Sequence, residues 1–122
     1  MTQATETVNK YLTAFYGGDF DSAKSVVADA FSFEGPFLTV SGKDAYFEGA
    51  GGLKAIVRGH RVLRQWDDGD DVSTIYEVDF ETLAGTGTVP MAEWHRVELG
   101  RLISGRVLFD SLAFRALVPP AK

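Results

Sequence analysis

Two stretches decide the fold: Tyr76-Glu77-Val78-Asp79-Phe80-Glu81 and, one turn later, Val89-Pro90-Met91-Ala92-Glu93-Trp94-His95-Arg96-Val97-Glu98. Each alternates with a period of two, which in a strand sends neighbouring side chains to opposite faces of a sheet. In the first, Tyr76, Val78 and Phe80 form an apolar row and Glu77, Asp79 and Glu81 an acidic one, so the apolar row is expected to face a core. In the second, Val89, Met91, Glu93, His95 and Val97 share a side, opposite Trp94, Arg96 and Glu98. An acid and an imidazole therefore fall within an otherwise apolar row.

Working outward, residues 60–67, 72–83, 88–99 and 102–114 are rich in β-branched and aromatic residues and read as four long antiparallel strands. The acid-rich run around Gly69, the Gly85/Gly87 stretch and Leu99-Gly100-Arg101 supply the turns, and Pro119-Pro120 ends the ordered chain. Upstream the period changes. Val8, Tyr11, Leu12, Phe15 and Tyr16 recur at the spacing of an amphipathic helix. Gly17-Gly18 stops it, and Asp19 caps a second helix carrying Phe20, Ala23, Val26, Val27 and Ala30. Residues 31–34 and 37–40 read as short strands. A third helix from about Asp44 toward Ile56 is expected to be short or bent, because Gly49, Gly51 and Gly52 each cost about 1 kcal/mol in a helix interior. Three helices followed by a long antiparallel sheet make an α+β domain, with residues 1–122 as one unit. A sheet this long twists and curls, and helices on its concave side enclose a cone with a pocket.

Composition narrows the function. The net charge of −5 argues against nucleic acid and against an anionic membrane surface. There is no cysteine, which removes disulfides and thiol chemistry and fits a cytoplasmic location. The first ten residues carry no apolar run of a secretory signal, and no apolar stretch is long enough to span a bilayer. The two histidines lack the spacing of a zinc site, the turn around Gly69 lacks the length and distal glutamate of a calcium loop, and the Gly49–Lys54 stretch matches no phosphate loop. No metal and no cofactor is expected.

Four runs carry a resemblance. Val8-Asn9-Lys10-Tyr11-Leu12-Thr13-Ala14-Phe15-Tyr16-Gly17-Gly18-Asp19-Phe20-Asp21, Ala28-Asp29-Ala30-Phe31-Ser32-Phe33, Gly42-Lys43-Asp44-Ala45 and Gly105-Arg106-Val107-Leu108-Phe109-Asp110 are similar, in order and spacing, to the nuclear transport factor 2-like superfamily. That superfamily includes ketosteroid isomerases, SnoaL-type polyketide cyclases and limonene epoxide hydrolase. The resemblance implies a cystatin-like cone, with three N-terminal helices packed on a curved, mainly antiparallel sheet. It also implies a homodimer through the convex sheet face, around Trp94.

Against the isomerases, Tyr11 falls on the helix-one tyrosine and Glu93 on the strand carboxyl. The general-base position is Gly35, followed by Pro36. Glycine offers no base, so steroid isomerisation as such is not expected. Asp110 with Arg96 or Arg106 is only a distant echo of the epoxide-hydrolase Asp-Arg-Asp set. His60, among Arg58, Arg61 and Arg64, reads as a rim residue.

The leading expectation is a small-molecule enzyme of isomerase, cyclase or hydrolase type, taking apolar substrates, polycyclic ones included. Glu93 and His95 would do acid–base work and Tyr11 would steady a ligand oxygen. Phe15, Phe47, Trp66, Tyr76 and Phe80 would line the pocket. One alternative is a non-catalytic binding domain for a small apolar ligand, favoured by Gly35. The other is a dimeric interaction module whose interior is filled by its own side chains.

Overall fold

The structure, a computed structural model, describes residues 2–120. Helix α1 spans Gln3–Tyr16 and is capped by Thr2, whose side chain accepts from the Thr5 amide. Its stripe of Val8, Tyr11, Leu12 and Phe15 is buried, as the periodicity predicts. Asp19 caps α2 (Phe20–Lys24) by accepting from Ser22. That helix is shorter than expected, because Val26 and Val27 belong to the approach and start of a strand.

Strands β1 (Val27–Glu34) and β2 (Thr39–Ser41) form a small antiparallel pair. Helix α3 (Lys43–Gly49) passes into a 3-10 turn at Gly51–Ala55, so the glycines shorten the third helix as anticipated. Then follow β3 (Val57–Asp68), β4 (Asp71–Thr82), β5 (Gly85–Glu98) and β6 (Arg101–Phe109), an antiparallel meander. The six strands lie in the order β2-β1-β6-β5-β4-β3, with β1 parallel to β6. The architecture is α+β: helices against one curved, mostly antiparallel open sheet.

Two departures have local causes. Residues 110–114 do not continue the last strand. Asp110 accepts from the Ala113 amide at 3.0 Å and so starts a helix, α4 (Ser111–Leu117). Thr82 Oγ1 donates to the Leu117 carbonyl at 2.5 Å and ties this helix to β4. The second departure is Trp66. The register of β3 against β4 slips between Val62 and Arg64, and the extra residue inverts the alternation beyond it. Gln65 therefore faces in and donates to Thr74 Oγ1 at 3.0 Å, while Trp66 pairs with Ser73 on the outer face and is 54 % exposed.

The core is largely aromatic. Phe15 stacks on Tyr11, Phe20 and Tyr46 at ring separations of 5.3, 5.1 and 5.7 Å. Burying a side chain of this size contributes about 1.5–3 kcal/mol, so α1, α2 and α3 are held to one another chiefly by rings.

Candidate functional site

Between α1, α3 and the concave face of the sheet lies a cavity of about 230 Å³. Phe15 and Tyr16 enter it from α1, Tyr46 from α3, Tyr76 and Phe80 from β4, and Met91 and Glu93 from β5. Val107 and Phe109 of β6 and Phe114 of α4 belong to the wall as well. Its lining is apolar except for three phenol hydroxyls and one carboxylate. The alternation of β4 and β5 explains this directly: Tyr76, Phe80, Met91 and Glu93 belong to the rows expected to face inward, and they do.

Glu93 is 5 % exposed and is the one charged side chain in the lining. Tyr76 donates to its Oε1 at 2.7 Å. His95 Nε2 lies 3.2 Å from Oε2, a close polar contact rather than a well-aligned hydrogen bond. Burial pushes the carboxyl up, but the attraction of His95 and the bond from Tyr76 outweigh it and hold Glu93 below its ordinary value. His95 is fully buried behind the carboxylate, its ring 5.5 Å from Tyr11 in an edge contact. Each oxygen of the buried carboxylate thus faces a polar partner, which so dry a position requires.

The hydroxyls form two sets. Tyr16 and Tyr76 lie 2.9 Å apart, extending the chain from Glu93. Tyr11 and Tyr46 are hydrogen-bonded to each other. Burial, reinforced by the charge of Glu93, pushes all four phenols up, so each keeps its proton.

Several expected site residues fall elsewhere. Phe47 is buried but not in the wall; it packs on Phe20 and Tyr46 at 5.3 and 5.1 Å. Trp66 is on the opposite face. Tyr11 is fully buried one layer behind the cavity, with its hydroxyl on Tyr46. Asp110 is a helix cap, Arg96 pairs with Asp71 and Glu98, and Arg106 lies 3.6 Å from Glu34, so no Asp-Arg-Asp set assembles. His60 stacks on Tyr16 at 5.4 Å, where burial pushes it down. Among the described residues no cluster of three metal-ligating side chains occurs, and no helix is long and apolar enough to cross a membrane.

Tyr46, Met91, Phe109 and Phe114 were not singled out from the sequence. Met91 had the signal, since it shares the inward row with Glu93. Tyr46 and Phe114 had none, because helices bring them in, and Phe109 stands at the last position of β6.

Gly35 also lines the cavity. A Cβ there would lie 2.9 Å from Val107 Cγ1 and 3.2 Å from the Phe33 ring. The wall leaves no room for a base at this position unless its neighbours move.

The model of the SnoaL-like domain matches residues 8–105. The chain belongs to this family. Its fold is that of the nuclear transport factor 2-like superfamily. A protein from Kribbella flavida is 29 % identical, with a TM-score of 0.81 over 93 % of this chain and 91 % of that one. An NTF2-like protein from Burkholderia pseudomallei, 17 % identical, reaches a TM-score of 0.84 over 98 % and 100 %. An LEH-like epoxide hydrolase from M. tuberculosis, 21 % identical, reaches 0.82 over 95 % and 90 %. No curated protein sequence matches the chain. As a SnoaL-like domain the chain shares its fold with epoxide hydrolase-like and ketosteroid isomerase-like proteins, and the chemistry must be argued from its own residues.

Proposed function

We propose that this SnoaL-like domain is a small-molecule enzyme that moves a proton with Glu93 inside the aromatic cavity. One observation carries the reading: a single carboxylate sits buried in the wall of an apolar pocket, fixed by Tyr76 on one oxygen and faced by His95 on the other. Nothing in core packing requires a charge there, and its desolvation is a standing cost. A carboxylate so held can take a proton from a bound carbon acid or water and return it. His95 does not line the cavity and meets it only through Glu93, so it acts as a positioning residue. The ligand is apolar and compact: about 230 Å³ is below the roughly 300–1,000 Å³ of drug-sized sites, which favours one or two rings over a steroid-sized skeleton.

Gly35 supports a second reading, a domain that binds such a ligand without transforming it. The deciding experiment follows hydrogen–deuterium exchange at the carbon beside the carbonyl of small cyclic ketones in heavy water, by NMR. Catalysed exchange that disappears in Glu93→Gln supports the enzyme. Binding without catalysed exchange across the ketone set leaves the carrier reading.

We also infer a homodimer through the outer sheet face. Trp94, Ile75, Leu108 and Trp66 are exposed there, and the register sets Ile75, Ala92 and Leu108 side by side across β4, β5 and β6. A cluster of this kind on one face favours a partner surface.

A further inference from the structure

We propose that Tyr46, rather than Tyr11, is the hydrogen-bond donor that the cavity offers to a ligand oxygen, and that Tyr11 holds Tyr46 in that role from behind. This rests on the cavity being the ligand site. It also narrows the ligand to compounds that carry an acceptor oxygen, such as a carbonyl, on a compact apolar skeleton.

The argument counts hydrogens. Tyr11 and Tyr46 share one hydrogen bond, and a phenol has one hydrogen to give. One of the two hydrogens is therefore left over. Tyr11 is 1 % exposed and does not line the cavity, and among the described residues the Tyr46 hydroxyl is its one hydrogen-bond partner. If Tyr46 donated to Tyr11, the leftover hydrogen would sit in a dry place with no acceptor, which is the costly case. If Tyr11 donates, the leftover hydrogen belongs to Tyr46, which lines the cavity, where a ligand or a water can accept it. The second arrangement puts the spare hydrogen on the residue at the cavity wall rather than in the packed interior.

The same count settles the other set. Tyr76 gives its hydrogen to Glu93, so between Tyr16 and Tyr76 the donor is Tyr16. That hydroxyl is spent inside the protein. The cavity then presents one phenol donor, Tyr46, and one carboxylate acceptor, Glu93. Both Tyr11 and Tyr46 remain protonated, since burial above all pushes them up, and a donor must keep its hydrogen. A ligand that fits has an oxygen toward Tyr46 and a donor or an acidic C–H toward Glu93.

The test uses 2-tetralone, a bicyclic ketone labelled with ¹³C at its carbonyl. Difference infrared spectra read the stretch of the bound carbonyl, and an NMR titration reads its affinity. In the wild-type protein the stretch should move to lower frequency than in an apolar solvent. Tyr46→Phe should abolish that displacement and weaken binding about tenfold, the loss of one good hydrogen bond. Tyr11→Phe should keep most of the displacement, because Tyr46 still holds its hydrogen. Loss of the displacement in Tyr11→Phe but not in Tyr46→Phe overturns the assignment, as does a wild-type protein whose bound carbonyl is not displaced or that takes up no ketone. Tyr46→Phe strands the buried Tyr11 hydroxyl and can unfold; the double variant Tyr11→Phe/Tyr46→Phe removes both hydroxyls and must also abolish the displacement. Exchange that is indifferent to Glu93→Gln, alongside a displacement that depends on Tyr46, would fault the acid–base reading and leave this one standing.

Discussion

Removing either member of the Glu93–His95 pair should destabilise the protein more than removing both. Glu93→Leu leaves His95 fully buried with no partner and takes the acceptor from the Tyr76 hydroxyl. His95→Leu leaves a buried carboxylate facing only Tyr76. Breaking a buried pair from one side costs about 3–5 kcal/mol, whereas replacing both members by apolar groups is often neutral or stabilising. A lone Glu93 can shed its charge by taking up a proton, and a lone His95 is left as an unpartnered buried polar ring, so the lower end, about 3 kcal/mol, is the expected cost of each single change. At about 2.1 cal/mol/K per residue, 122 residues give an unfolding entropy near 0.26 kcal/mol/K, so each 1 kcal/mol moves Tm by about 4 °C. The single variants should melt about 12 °C below the wild type. In Glu93→Leu/His95→Leu only the Tyr76 hydroxyl loses a partner, a cost of about 1 kcal/mol, so this variant should melt within about 4 °C of the wild type. Thermal melts of the four proteins at neutral pH, followed by circular dichroism, measure the cycle. A double variant as unstable as the two singles combined would refute the reasoning, since the pair would then carry no mutual compensation. Single variants that melt like the wild type would refute it too.

Stability should fall in acid, and partly through this pair. The Glu93 carboxyl is held below its ordinary value, so its contribution is complete above the unfolded value of about 4.3 and is lost as pH falls through the folded one. Asp79, which Arg61 and Thr88 hold at about 2, acts in the same sense at the lowest pH. Melts of Glu93→Gln between pH 6 and 2 should show a shallower decline than the wild type, and identical slopes would remove Glu93 from the account. On the outer face, Trp94→Asp should convert the proposed dimer to a monomer in sedimentation velocity, because Trp94 is 52 % exposed in the single chain. A wild-type protein that is monomeric at all concentrations would end the dimer reading.

The amino-acid order alone determined which side chains of β4 and β5 share a face. A strand has a fixed period of two, so once Tyr76, Val78 and Phe80 face inward, their partners across β5 follow, and Glu93 and His95 come with them. It determined the stripe of α1 for the same reason, with a period of 3.6. These are local rules, and local rules can be read along one dimension. What only the tertiary structure decided lies where such a rule is interrupted or where elements distant in sequence meet. One extra residue in β3 turned Trp66 outward, and nothing in the composition of residues 57–68 announces that slip. A side chain cap at Asp110 made a helix of residues that alternate like a strand. Tyr11 and Tyr46 are 35 positions apart, and which of the two stands in the wall depends on how α3 settles against α1 and the sheet. Register slips, helix docking and the depth of a cavity are set by packing among many groups at once, so they exist only once the chain has closed on itself.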